Sequence, residues 1–385
     1  MGQQTTQGTV EAGFESVREE FAAVTAAEDD DYAAQLTVYH HGRQVVDLWT
    51  GPGFSGDSLT GVYSCSKGAA YLVTALLVQD GTLDLEQRVS HYWPEFGAAG
   101  KQHLTVRELL AHRAGVVGAT EGFSVDELAD DRVVAERIAP QLPFWRPGTA
   151  FGYHALVIGA LIGEVVLRLT GRSIQQHFEE RVRAPYGLDF YLGLPPEQES
   201  RFLTTLPMRP TPEEQAQVDA EDPAGPYSLL NIAFNQQRPD APAVETLPNH
   251  RVVRAKGPAS VGGVASARGL ARMYAAAISG TDGLPPLLTP ETAAVFGQIQ
   301  SVGLNLVTDN PSTYAVGFSA VADLYPALGA GAIGHPGADG SQSFADPSSG
   351  LAYGYSRRRF AFPGGPAAEN GRLVRAAHAA ATLAG

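Results

Sequence analysis

The chain holds a single cysteine, Cys65, so no intrachain disulfide can form. No cysteine and histidine spacing resembles a zinc site. Lysine is scarce as well: of the 27 basic residues only Lys67, Lys101 and Lys256 are lysines. No basic cluster stands out beyond Arg357-Arg358-Arg359, and three arginines on one predicted strand read as a solvated face. The formal net charge of -14 repels a phosphate backbone, which sets nucleic-acid binding aside. Long apolar runs are missing too. The longest, Ala155 to Gly163, is stopped by Glu164 and is far too short to span a bilayer. The segment Met1 to Ala27 is polar and acidic, without the basic start and apolar run of a secretory signal. The expectation is a cytoplasmic protein with no membrane partner. Composition does not speak to oligomeric state.

What remains is a chain of 385 residues, long enough for one large core or two coupled lobes. Residues 8–27 carry Val10, Phe14, Val17 and Phe21 at helical spacing, which predicts an amphipathic helix. Gln35 to Gly51 reads as two strands about a His41-Gly42 turn. His40 and His41 belong to that turn and read as solvated. Ser64 to Gln79 is apolar almost all round, the signature of a buried helix, and Asp80-Gly81 stops it. Thr105 and Glu108 have capping-box spacing ahead of Leu109 and Leu110. Trp145 to Thr149 is a turn that leads to Tyr153 and a second apolar helix over Leu156 to Leu169. Proline and polar residues crowd 206–250, predicting a long surface excursion that shapes a substrate pocket. Gly257 to Gly263 is a loop, followed by a helix from Ala267 to Ser279. Strand-like runs then cover Tyr314–Val321, Gly331–His335, Ser341–Ala345 and Leu351–Tyr355, and a final helix covers Ala367 to Leu383. The expected fold class is α+β: an antiparallel sheet flanked by helices. Residues 1–80 and 257–385 would form the discontinuous sheet lobe, and 81–256 a mainly helical lobe with substrate-shaping loops.

Chemistry concentrates at Tyr63-Ser64-Cys65-Ser66-Lys67. Ser64 and Lys67 are three apart at the start of a helix, and one turn places both on one face. A serine hydroxyl is a poor nucleophile until a base takes its proton. A lysine in a dry site loses its own proton readily and can do that work, whereas arginine cannot. A chain that uses arginine almost everywhere yet has lysine here is informative. The helix N-terminus adds free N–H groups beside the oxygen that will carry charge. Cys65 points to another side of the helix and reads as packing. G-x-S-x-G is absent, which excludes the nucleophile elbow built on that motif.

The S-x-x-K pair at Ser64 and Lys67 resembles the class C β-lactamase and D-Ala-D-Ala-peptidase superfamily, and above all its family VIII carboxylesterases. The resemblance runs along nearly the whole chain. It includes Leu104-Thr105-Val106-Arg107-Glu108-Leu109-Leu110-Ala111-His112-Arg113-Ala114-Gly115, Trp145-Arg146-Pro147-Gly148, and Gly262-Gly263-Val264-Ala265-Ser266 ahead of Leu270-Ala271-Arg272-Met273. The family's Tyr-x-Asn falls on Tyr153-His154-Ala155, which implies that Tyr153 is the acid-base partner of Ser64 and Lys67. Ala155 departs from the pattern; an asparagine there can bond a substrate amide and alanine cannot. The family's Lys-Thr/Ser-Gly falls on His335-Pro336-Gly337, with Ala338 next. A histidine in place of that lysine is largely neutral at pH 7. Both departures favour neutral esters. The resemblance further implies an oxyanion hole from the amides of Ser64 and Ala338, with Gly337 allowing close approach of substrate and with His335 and Ala155 beside it. His112 reads as a structural hydrogen-bonder under the site. His154 has no assigned role.

The resemblance therefore implies a serine carboxylesterase that hydrolyses small neutral esters through a Ser64 acyl-enzyme, with no cofactor or metal. Rivals are a β-lactamase, D-amino-acid peptidase or amidase of the same superfamily, an acyltransferase to a small alcohol, and an inactive binding protein on the same fold.

Overall fold

The computed structural model describes residues 5–28, 31–220 and 224–384. The remainder, which includes Met1 to Gln4 of the N-terminal segment and 221–223 of the 206–250 excursion, lies outside it. Among the described residues no helix is long and apolar enough to cross a membrane.

A nine-stranded antiparallel sheet forms the frame. Its N-terminal strands are β1 (Gln7–Val10), β2 (Ala34–His40) and β3 (Arg43–Thr50). The predicted hairpin is present, with His41 and Gly42 both at positive φ, as a two-residue turn requires. A second, three-stranded sheet holds β4 (Thr60–Tyr63), β5 (Phe190–Tyr191) and β6 (Gly263–Ala265). The large sheet resumes with β7 (Ser301–Asn305), β8 (Asn310–Tyr314), β9 (Ser319–Ala320), β10 (Ile333–Pro336), β11 (Gln342–Asp346) and β12 (Leu351–Arg357). Its order is β1-β3-β2-β12-β11-β10-β9-β8-β7, so β12, the last strand, pairs with β2 of the N-terminal hairpin.

Helices cover both faces. On one side lie α1 (Glu15–Ala26) and the last helix, Glu369–Ala384, whose Phe14-side and Leu373-side residues pack on Leu36, Val38 and Tyr353. On the other lie α2 (Ser66–Gln79), the capped turn Val106–Leu110, the apolar helix Ile158–Thr170 and the helix Ala267–Ile278. The capping box at Thr105 and Glu108 forms as expected. Every residue of α2 from Ser66 to Leu77 is buried. Its Leu72, Val73, Leu76 and Leu77 each contribute on the order of 2 kcal/mol by leaving water.

Three expectations need correction. Residues 7–10 are not helical: they pair as β1 with Val46 to Trp49, and the helix starts only at Glu15, after a turn through Gly13. The apolar spacing at Phe14, Val17 and Phe21 was helical, but Val10 belongs to the strand. The run Tyr314–Val321 is broken, because Ala315 to Phe318 form a turn with Gly317 at positive φ against the Tyr71 ring. The arginine run is no solvated face. Arg357 and Arg359 are buried; Arg357 bonds Glu369 at 2.7 Å and lies over the Tyr32 ring, and Arg359 pairs with Asp31. A buried arginine needs a partner for its charge, and Arg357 and Arg359 each have one.

Candidate active site

β4 ends at Tyr63, the chain turns, and α2 begins at Ser66, so Ser64 lies in the strand-to-helix turn ahead of the first helical residue. Tyr63 adopts a φ of 45°, a conformation costly for a bulky residue. Surrounding contacts hold it there: its hydroxyl donates to the Glu245 carbonyl and its ring meets the Phe360 edge. Ser66 Oγ, accepting from Gly263 N at 2.8 Å, fastens the turn to β6. Cys65 Sγ donates to the His335 carbonyl at 3.2 Å, which fastens it to β10. Burial pushes the Cys65 thiol up, so it stays protonated. The sequence marked Cys65 only as packing; the contact to β10 had no sequence signal.

Two side chains converge on Ser64. Lys67 Nζ lies 3.0 Å from its Oγ, and the Tyr153 hydroxyl donates to the same oxygen at 2.8 Å. Lys67 Nζ also donates to the carbonyls of Ala155 at 2.7 Å and Ser260 at 2.8 Å. Burial drives the Lys67 ammonium well below the ordinary lysine range. A neutral amine has two N–H groups and one lone pair. In that neutral form, with both N–H groups on carbonyls, the lone pair would face the Ser64 hydroxyl. Burial, with Tyr314 beside it, drives the Tyr153 phenol up, so it rests protonated. Burial thus disfavours the charged form of both groups.

A cluster behind Tyr153 fixes it. Asn305 Oδ1 accepts the Tyr153 backbone N–H at 3.0 Å. The Tyr314 ring stacks on Tyr153 with centroids 6.1 Å apart, His335 stacks on it at 5.8 Å, and His112 meets it edge-on at 5.3 Å. His112 Nδ1 accepts the His154 backbone N–H at 3.1 Å, which is the structural bonding expected of it. His154 is buried, and its Nδ1 donates to the Gly152 carbonyl at 2.7 Å. Asn305, Tyr314 and Ser260 went unnoticed in the sequence. They lie 107 to 250 positions from Ser64 or Tyr153, and no local motif marks them.

Ala155 is buried, and the contact it makes toward the site is its backbone carbonyl on Lys67. His335 is buried; its Nδ1 donates to the Pro336 carbonyl at 2.8 Å, and burial with Lys67 nearby pushes it down to about 3. It is a neutral ring at physiological pH. A side chain at Gly337 would meet Asp339 Oδ1 at 2.4 Å and the Val62 carbonyl at 2.9 Å, so glycine here answers to packing within the turn. Ala338 follows, half-buried. Among the described residues the backbone N–H groups of Ser64 and Ala338 have no acceptor. From the 206–250 excursion, Phe234 tilts against Tyr153 with centroids 6.2 Å apart.

The chain is similar to known proteins along nearly its whole length. The Beta-lactamase family profile matches residues 22–377. The chain is 30% identical over 350 residues to Esterase/beta-lactamase LipL of Mycobacterium tuberculosis, covering 85% of this chain and 77% of that one. EstA from Arthrobacter nitroguajacolicus Rue61a superposes with a TM-score of 0.90 at 42% identity, over 98% of this chain and 99% of its own. A family VIII carboxylesterase superposes at 0.85 with 33% identity, over 98% and 100%. The sheet with its flanking helices is thus the β-lactamase-like fold, and this chain belongs to the Beta-lactamase family.

Proposed function

We propose that this chain is a serine carboxylesterase acting on neutral esters through a Ser64 acyl-enzyme. One observation carries the proposal: Ser64 Oγ sits between a desolvated Lys67 amine at 3.0 Å and the Tyr153 hydroxyl at 2.8 Å. That is a nucleophile with its base and its acid in reach. The esterase names of LipL, EstA and the family VIII carboxylesterase support it. So does the neutral His335 at the position where a lysine would meet a carboxylate.

In the first half-reaction Ser64 gives its proton to Lys67 as Oγ bonds the ester carbonyl carbon. The oxygen that gains the electron pair accepts hydrogen bonds from the N–H groups of Ser64 and Ala338. The carbon–alcohol bond then breaks; Tyr153 protonates the departing oxygen and regains a proton from Lys67. In the second half-reaction water adds to the acyl carbon and its proton passes through Tyr153 to Lys67. The Ser64 ester bond breaks, and Oγ recovers that proton as the acid leaves. Protons and charge balance, and the enzyme returns to its uncharged resting state.

Short-chain p-nitrophenyl esters and nitrocefin test this with wild type and Ser64→Ala. Ester turnover that disappears in the variant, with little nitrocefin cleavage, is expected. Nitrocefin cleavage outpacing ester turnover would favour the β-lactamase alternative instead. Ester turnover that survives Ser64→Ala would refute the nucleophile.

A further inference from the structure

A backbone oxyanion donor points where its peptide plane points, so the turn carrying Ala338 decides its aim. The Gly337 carbonyl and the Ala338 N–H share one rigid plane on opposite sides. That carbonyl accepts from Gly340 N at 3.3 Å, while Gly337 N donates to the Ser341 carbonyl at 2.7 Å. The next two carbonyls are held from outside: Ala338 by Gly365 N and Asp339 by Ala361 N, each at 2.9 Å. Asn370 Nδ2 donates to the Gly340 carbonyl at 3.0 Å.

The Asp339 side chain folds back into this turn. Its Oδ2 accepts from Ser341 Oγ at 2.6 Å and its Oδ1 from Ser341 N at 3.3 Å. Oδ1 also fills the space beside Gly337, where a Cβ would come within 2.4 Å of it. Asp339 and Ser341 are both fully buried. Burying a carboxyl is costly, and burial pushes this one up to about 7 despite the two Ser341 bonds and the Arg357 guanidinium. The turn closes through its backbone alone, so nothing in its connectivity demands an acid. The space that a Cβ at Gly337 would take is flanked by this carboxyl and, at 2.9 Å, by the carbonyl of Val62, the residue two before Ser64.

Resting on the assignment of Ala338 as an oxyanion donor, we propose that Asp339 is a positioning residue for ester hydrolysis: clasped by Ser341, it locks the 337–341 turn so that the Ala338 N–H faces the developing oxyanion. Asp339 touches no reacting atom in this scheme. It acts on the transition state through the aim of one N–H group. Removing an oxyanion donor outright costs about 10²–10³ in rate, and loss of aim costs part of that.

The experiment compares Asp339→Ala, Asp339→Asn, Ser341→Ala and the Asp339→Ala/Ser341→Ala pair by steady-state kinetics on p-nitrophenyl acetate. Circular dichroism and the melting midpoint check folding, and Ser64→Ala runs alongside. Expected are kcat losses of about ten- to hundredfold in each alanine variant, KM within about threefold, and a double variant no worse than its worse parent. Asp339→Asn keeps an acceptor for Ser341 and recovers part of the loss. Should Asp339→Ala fail to fold, Ser341→Ala and Asp339→Asn carry the test. Folded variants with kcat within twofold of wild type, or a loss confined to KM, overturn the positioning role. Activity surviving in Ser64→Ala would instead overturn the acyl-enzyme scheme, so the two failures are distinguishable.

Discussion

The Nζ of Lys67 and the carbonyl oxygen of Ala155 are 2.7 Å apart. With the Ser260 carbonyl at 2.8 Å, this contact occupies two N–H groups of Lys67; in the neutral amine that leaves the lone pair for Ser64, 3.0 Å away. Because the contact is made by backbone, the alanine at 155 does not weaken the lysine's seat. What it removes is a side-chain amide that a substrate could bond.

Replacement of Lys67 follows from this seat. Lys67→Arg keeps a cation but cannot offer a lone pair. Its planar fork also cannot match two carbonyls spaced for an amine. We expect kcat on p-nitrophenyl acetate to fall by at least about 10³, with KM changed by less than about threefold. In wild type the rate should reach its plateau well below the ordinary lysine pKa, because burial has already lowered it. A rate that climbs steadily to pH 10, or an active Lys67→Arg, would contradict a neutral-amine base.

Tyr153 is expected to show its role through the leaving group. A p-nitrophenolate departs without a proton, whereas an alkoxide needs one. Tyr153→Phe should therefore slow an ethyl ester by about 10²–10⁴, and a p-nitrophenyl ester markedly less. Phenylalanine retains the stacking with Tyr314 and His335, so packing is preserved. Equal losses on both esters would assign Tyr153 to positioning Ser64 instead.

Much of this was legible from local pattern. Ser64 and Lys67 lie on adjoining turns, so their meeting needed no tertiary knowledge. The α2 helix and the β2–β3 hairpin were readable because periodicity and turn residues are local signals. The edge strand β7 was not readable: Ser301-Val302-Gly303-Leu304-Asn305 alternates but sits beside polar turns and has a glycine at its centre. Arg357 was misread because burial of a charge depends on Glu369, twelve residues on and across a packed helix. Tyr153 needed the family resemblance, since Asn305 and Tyr314 reach it from strands about 150 residues away.

Gly354 marks how closely a helix rides on the sheet. A Cβ there would lie 2.4 Å from the Ala267 carbonyl and 2.6 Å from Ala271 N, at the start of the helix Ala267–Ile278. Backbone cannot move aside as a side chain can. Gly354→Ala should cost roughly 1–3 kcal/mol in urea unfolding, the range for overpacking. Gly331→Ala is the control, because no atom lies within 4 Å of its added Cβ and its φ is ordinary. It should stay within about 0.5 kcal/mol of wild type. Equal midpoints for the two variants would mean that the helix can lift from β12 at no cost.

The buried acids and histidines pull stability in opposite directions with pH. His112, His154 and His335 are held neutral, with His154 at about 4 and His335 at about 3. Unfolded histidine protonates near 6.5. As pH falls from about 6.5 toward 4, the unfolded chain binds protons that the folded chain refuses, and stability falls. Asp339 and Asp131 behave the other way, held at about 7 and about 6 by burial. Unfolded aspartate ionises near 3.9, so as pH rises from about 4 to 7 the unfolded chain releases protons that the folded chain keeps. Stability falls across that window too, now with rising pH. Asp339→Asn isolates one of these contributions. Whatever it loses in hydrogen bonding is the same at every pH, but it escapes the titration. Its unfolding free energy relative to wild type should therefore improve by roughly 3–4 kcal/mol between pH 4.5 and pH 8. Urea melts at three pH values measure this. A difference that stays flat with pH would mean that Asp339 is ionised throughout, and that the 337–341 turn holds a charge rather than a neutral acid.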